Sequence, residues 1–387
     1  MLYVGIDISS QKHDCCIITS DGVTDTFSFS NSHEGFELLL SKLTESPENT
    51  SIGLEATGIY GANLTAFLWR KGFKTTTFNP LHIKKLIEAN TLRKTKTDKA
   101  DSVFIARHMM QQAHKPDTPT LYHTSELKSL SRLRFNLVKS RSKAKTQCKL
   151  ALMRVFPEFI NLFSDCFGAA ALAVLSKYPT AYDIANCRKS SLTKILSQAS
   201  RGRFSADKAL ELISCAKSSI GNYSISGSME ISFFVSDIIA ISDKIKLVDA
   251  EISNIMAQLN STITTIPGIG SVLGAMILGE IGDIHRFDSP DKLLAFAGLD
   301  PSIYQSGKFI PSSGSMVKRG SPYLRWALTQ SARLAALNCS TFSNYLNKKL
   351  SEGKHYNVAV SHLAKKLVRV IFSLLYNNSS FDINFSA

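Results

Sequence analysis

The sequence predicts an α/β + α chain, with a mixed-sheet domain first and a longer, mostly helical region after it. Three observations predict this. Short apolar runs bounded by turn residues alternate with amphipathic segments up to about residue 110. Basic residues and leucines at helical spacing fill 127–154, and a seven-residue apolar repeat runs from 234 to 259. With 387 residues and 44% hydrophobic content, the chain can bury at least one full core and has length for two or three domains.

In chain order, residues 2–7, 14–19 and 23–29 read as strands, and Ser20-Asp21-Gly22 supplies the tight turn of an antiparallel meander. Asn31, followed three residues later by Glu34, marks the start of a helix near 32–44. A strand at 51–55, a helix ending by Gly72, a strand at 73–78 and a helix carrying Asp98 and Asp101 complete the order βββαβαβα. That order is the layout of a ribonuclease H-like mixed sheet, whose first and fourth strands lie side by side. Asp7 closes the first strand, Glu55 closes the fourth, and Asp98 and Asp101, three apart, share a helix face. Clustered carboxylates repel one another unless a cation neutralises them, and hard oxygen donors are what Mg²⁺ or Mn²⁺ takes. The chain as a whole is basic, with 45 Lys and Arg against 31 Asp and Glu and a net charge of +14, which favours polyanionic partners. An acid cluster inside a cationic chain points to metal-dependent cutting of nucleic acid.

Between 128 and 154 lie Lys128, Arg132, Arg134, Lys139, Arg141, Lys143, Lys145, Lys149 and Arg154, with no acid among them. Leu127, Leu130, Leu133 and Leu137 run beneath the charges, so a long helix with an apolar seam and a cationic, nucleic-acid-binding flank is expected. A solvated helix face is the plainer alternative. Phe234, Ile238, Ile241, Ile245, Val248, Ile252, Ile255 and Leu259 form a heptad seam, a coiled coil made either between protomers or with another helix of the same chain. The stretch 156–228 is helical in propensity, is punctuated by Pro157, Pro179, Gly202 and Gly221, and shows no motif. Seven cysteines without a paired CxxC spacing fit reduced thiols, and with no signal core or membrane-length apolar run the expected location is the cytoplasm.

Ile266-Pro267-Gly268-Ile269-Gly270 has the composition of a helix-hairpin-helix turn, in which Gly268 and Gly270 would let backbone N–H groups approach a phosphate; a plain corner between helices is the alternative. Further on come Gly298-Leu299-Asp300-Pro301, Gln305-Ser306-Gly307-Lys308, Lys318-Arg319-Gly320 and Leu324-Arg325. The set Asp7, Glu55, Asp98 and Asp101, the Pro-Gly-Ile-Gly turn, the Ser-Gly-Lys loop and the Lys-Arg-Gly…Leu-Arg element, in this order, resemble the DEDD transposases of bacterial insertion sequences. That family includes a pilin-gene invertase and bridge-RNA-guided recombinases. The resemblance covers 2–110 and 264–335 and is weakest between them.

The resemblance implies a RuvC-like DEDD domain with the basic helix (1–155), a helical linker with the coiled coil (156–262) and a transposase domain (263–387). It also implies that Ser306 attacks DNA to give a phosphoserine intermediate, assisted by Mg²⁺ or Mn²⁺ on the four carboxylates. Lys308, Lys318, Arg319 and Arg325 would then clamp phosphate. Partners implied are donor and target DNA, an element-encoded guide RNA, and further copies of the chain in a dimer or tetramer held through the coiled coil. Four other readings share features of the sequence. A RuvC-like nuclease would use the same carboxylates with water, a site-specific invertase would need no RNA, and a binding protein would carry the acids as solvated surface. An actin-like ATPase also opens on Gly-Ile-Asp but needs further glycine-rich phosphate turns.

Overall fold

The computed structural model describes residues 1–22, 24–56, 60–78, 80, 83, 98–114, 116–117, 122–301 and 316–382. It divides into two compact units, Met1–Pro119 and Thr120–Ala387.

In the first unit, strands β1 (Leu2–Asp7), β2 (Lys12–Thr19), β3 (Thr24–Ser30), β4 (Thr50–Glu55) and β5 (Thr75–Phe78) form one sheet in the order β3-β2-β1-β4-β5. β1 pairs antiparallel with β2 and parallel with β4, so the first and fourth strands are neighbours, as the element order required. Alternation then sorts the side chains. Leu2, Val4 and Ile6 face a core with Ile52 and Leu54 of β4, which helices α1 (His33–Lys42) and α2 (Ala62–Arg70) cover through Phe36, Leu39, Leu64 and Leu68. The cap of α1 is Ser32, whose hydroxyl accepts from the Gly35 amide. The expected cap, Asn31, instead donates to the carbonyls of Ser10 and Tyr60.

The opposite sheet face meets helix α3 (Asp98–Gln111). Gly5 and Gly53 are register partners there. A Cβ on Gly5 would stand 2.2 Å from the Ser102 carbonyl oxygen and 2.3 Å from the Ala106 nitrogen, so only glycine lets α3 lie this close.

The second unit is helical: α4 (Tyr122–Val155), α5 (Ala169–Lys177), α6 (Ala181–Ala185), α7 (Lys189–Ser200), α8 (Ala206–Lys217), α9 (Ile225–Leu259), α10 (Ser271–Ile281), α11 (Pro290–Ala297), α12 (Pro322–Asn338), α13 (Ser340–Ser351) and α14 (Tyr356–Tyr376). The basic helix α4 packs within the second of these units. α4 and α9 run antiparallel, tied by Arg134–Asp249, Arg141–Ser242 and Arg154–Glu230. The buried row of α9 is Ile231, Val235, Ile238, Ile245, Ile252, Ile255 and Met256. Phe234, Ile241, Val248 and Leu259 of the expected seam are half-buried, and Leu133 of the α4 seam is 48% exposed.

One end of this helix pair packs with α5–α8 around Leu152, Phe156, Phe159, Val174 and Leu212, which gives the stretch without a motif a core of its own. The other end packs with α10–α14 around Ile252, Ile277, Leu328 and Leu367. No helix among the described residues is long and apolar enough to cross a membrane.

Candidate active site

Asp7 and Glu55 end neighbouring parallel strands, one step beyond the Ile6–Leu54 pair, and both are half-buried. Since side chains alternate, each shares the face of the glycine two residues before it, the face that α3 covers. Met109 and Gln111, late in α3, line a cavity with Met1, Tyr3 and Thr50 at the beginning of β1 and β4. The first turn of α3 therefore lies at the opposite end of these strands, where Asp7 and Glu55 are. Asp101 sits on that turn beside Ser102 and is buried, at 8% exposure. Asp98 begins the same helix, and its side chain lies outside the described residues. The structure thus brings Asp7, Glu55 and Asp101 to one end of the sheet.

A fourth acid joins them, one that sequence reasoning missed. Asp14 is the cross-strand partner of Asp7, is 4% exposed, accepts a 2.5 Å hydrogen bond from the Ser28 hydroxyl and has the Lys12 ammonium 3.6 Å away. Like charges directly opposite one another on a sheet are unfavourable, and here the Lys12 ammonium stands beside the pair. The one signal for Asp14 in the sequence was its place in a strand that alternates Asp14, Cys16, Ile18 on one face.

The donor set is all carboxylate, which fits a hard divalent ion in its chemistry. Among the described residues no group of three or more His, Cys, Asp or Glu side chains is gathered closely enough to hold a metal, and the Asp98 carboxylate is not among those described.

In the second unit, Ser306 and Lys308 lie outside the described residues, as do Ser302, Ser312, Ser313 and Ser315. The chain on either side of 302–315 is held together. Pro301 bridges to Met316, and the Val317 amide donates to the Asp300 carbonyl at 2.9 Å. Arg325, expected to clamp phosphate, donates through Nη1 to the carbonyls of Ala297 (3.2 Å) and Lys318 (3.3 Å), so it fastens this neck from within. Lys318 and Arg319 are exposed. Beside the neck, Glu280 is 3% exposed and accepts from Arg132 Nε (2.6 Å) and Nη2 (2.9 Å) and from the Ser321 hydroxyl (2.8 Å). Ser321 in turn caps α12, and the Arg132 guanidinium lies 4.8 Å from the Tyr323 ring centroid. Nothing in the sequence singled out Glu280.

The cations of α4 separate into two groups. Arg132, Arg134, Arg141 and Arg154 are engaged within the chain, as above. Lys128, Lys139, Lys143 and Lys149 are exposed, and Lys145 stands 5.5 Å from the Phe167 ring centroid. Gly268, with φ of 89°, would put a Cβ 2.6 Å from the backbone of Leu334, so its bareness serves packing against α12. Gly270, at the start of α10, has open space around it.

Two family models match this chain. A DEDD model of the IS110 type, described as a transposase, covers residues 4–157, and a model described as transposase of the IS116/IS110/IS902 family covers 260–347. Sheet order, strand-end carboxylates and these matches define a transposase, an enzyme that acts on DNA. The chain belongs to the IS110 family of insertion-sequence transposases. It is 26% identical to a pilin gene-inverting protein of Moraxella lacunata, over 98% of this chain and 97% of that one. It is 24% identical to an uncharacterized 44.8 kDa protein of insertion element IS116 from Streptomyces clavuligerus, over 98% and 96%. It is 22% identical to a putative mini-circle transposase for IS117 from Streptomyces coelicolor, over 98% and 95%.

Proposed function

We propose that this transposase cleaves and rejoins DNA strands through a phosphoserine intermediate on Ser306, assisted by a divalent cation held by Asp7, Glu55, Asp98 and Asp101. The observation that carries this reading is the parallel register that sets Asp7 beside Glu55, with the first turn of α3 bringing Asp101 to the same strand ends. When bound, Mg²⁺ or Mn²⁺ would stabilise the charge that develops on the attacking and leaving oxygens.

The Ser306 hydroxyl oxygen attacks phosphorus and gives up its proton, and one bridging oxygen of the DNA leaves. A hydroxyl of the incoming strand then attacks the phosphoserine, restores the phosphodiester and releases serine. Because the bond energy is kept in the intermediate, no nucleotide triphosphate is required. Lys318 and Arg319, exposed at the neck, would neutralise phosphate, as Lys308 would by its position in the motif. Donor and target DNA would lie along the exposed lysines of α4, which pairs with α9 as an antiparallel coiled coil, and further copies of the chain would complete a dimer or tetramer. An element-encoded RNA would select sites by base pairing. The name of the Moraxella relative, a pilin gene-inverting protein, favours strand exchange over simple hydrolysis.

The test uses Ser306→Ala and Asp7→Asn with supercoiled DNA bearing the element's ends. Ser306→Ala is expected to lose both recombination and the covalent protein–DNA adduct seen on denaturing gels. Asp7→Asn is expected to lose cutting while DNA binding persists. Adduct-free cutting at the wild-type rate by Ser306→Ala would favour the water-using nuclease, and full cutting by Asp7→Asn would remove Asp7 from the site.

A further inference from the structure

Helices α13 and α14, with the turn between them, gather cations that neither family model reaches, since the second match ends at residue 347. From Leu334 to Asn378 the chain carries six basic residues, Lys348, Lys349, Lys354, Lys365, Lys366 and Arg369, against the single carboxylate of Glu352, and Arg369 reaches a second carboxylate, Asp291, at 3.8 Å. Helical spacing gathers them on one side. His362, Lys365, Lys366 and Arg369 fall at i, i+3, i+4 and i+7 of α14, while Leu363, Leu367, Val370 and Leu374 of the same helix are buried. On α13, Tyr345, Lys348 and Lys349 share a face in the same way.

The two faces meet. The ammonium groups of Lys349 and Lys366 stand 5.6 Å and 5.2 Å from the centroid of the same Tyr345 ring. Glu352 is shared between Lys349 at 2.8 Å and Lys354 at 3.4 Å, so one negative charge answers two positive ones. Among the described residues Lys348, Lys365 and Lys366 make no ion pair. The His362 imidazole registers the crowding. Burial lowers its pKa most, Lys365, Lys354 and Lys349 lower it further, and Glu352 opposes them.

A folded chain does not hold like charges together without cost, and an external polyanion removes that cost. Lysines dominate, and a lysine grips phosphate as a point charge without the fixed fork by which arginine reads base edges. A transposase acts on DNA, and duplex DNA is a polyanion of extended length and evenly spaced charge. We propose that the joined face of α13 and α14 is a further docking surface for duplex DNA, holding its phosphate backbone without reading sequence. Docking of this kind is separate from the serine chemistry, so failure of either leaves the other standing.

The test compares the full-length protein with the double variant Lys365→Gln, Lys366→Gln, and with Lys365→Arg, Lys366→Arg. A labelled random-sequence DNA duplex is titrated by anisotropy across a salt series, and thermal melting confirms that each variant folds. The glutamine variant is expected to flatten the slope of log K against log salt by about 1.8, and to weaken low-salt binding on the order of 10-fold. The arginine variant is expected to keep wild-type values. An unchanged slope in a folded glutamine variant would overturn the proposal. So would a defect confined to a labelled single-stranded RNA, or one seen only with phosphatidylserine vesicles.

Discussion

Gly5→Ala tests how the sheet sets up the acidic end. The new methyl group would stand 2.2 Å from the Ser102 carbonyl oxygen and 2.3 Å from the Ala106 nitrogen, both of them backbone atoms of α3. No side-chain rotation relieves that overlap, so to reach even a tight 3.4 Å contact the helix has to retreat by about 1 Å. Ser102 adjoins Asp101, so the retreat carries Asp101 away from Asp7 and Glu55, which stay on their strands. Overpacking of this kind costs about 1–3 kcal/mol, and a misplacement of about 1 Å at a catalytic group lowers the rate on the order of 100-fold. Gly53→Ala is the internal control. Its methyl would meet side-chain atoms of Ile105, Met109 and Phe78 at 2.8–2.9 Å, which have more freedom to move. The assay measures cleavage of element-end DNA as a function of Mg²⁺ concentration, together with the melting temperature. Gly5→Ala is expected to lose far more activity than Gly53→Ala at similar melting temperatures. Equal activities, or a Gly5→Ala protein indistinguishable from wild type, would refute the claim that the closeness of α3 positions the carboxylates.

Two further outcomes follow from buried groups. Glu280→Gln keeps the shape but removes the charge that Arg132 and Ser321 share; because the Arg132 side chain is 40% exposed, the cost is set at about 2 kcal/mol, below that of a fully buried pair, and is read from the urea midpoint. His13 is wholly buried beside Phe29 and Phe36, and burial lowers its pKa below the usual value of about 6.5. Above that value the imidazole is neutral in both states. As pH falls below it the unfolded chain takes up a proton that the folded chain resists, so stability drops with falling pH until the depressed folded pKa is passed. Urea midpoints measured between pH 7 and pH 5 are expected to fall less in His13→Gln than in wild type, and parallel curves would remove His13 from the acid sensitivity.

The acid end was largely legible because its signals are local. Asp7 and Glu55 each terminate an apolar run, and the order of elements alone predicts that those runs are neighbours. Asp14 was not legible, since its importance comes from cross-strand register with Asp7, and register depends on the whole meander. The heptad seam of α9 was found with its phase partly displaced. Ile238, Ile245, Ile252 and Ile255 were placed correctly, but the α4-facing side also takes in Ser242 and Asp249, whose partners Arg141 and Arg134 are about a hundred residues away. For the same reason the run of cations on α4 disclosed its sign but not which arginines are already occupied. At Gly268 the sequence admits both a phosphate-binding turn and a plain corner, because a bare backbone is equally suited to an anion or to a helix, and only the tertiary fold shows α12 against it.

The cross-links between α4 and α9 also fix a length. Displacing one helix by a heptad would set Arg134 against Ser242 and strand Arg141 beside Val235, so slippage is penalised at two points along the rod. With 34 residues in α4, the pair is a strut of about 50 Å joining two separately packed helical cores. A load applied to either core is therefore delivered to the other with little loss, as through a stiff lever and not a spring.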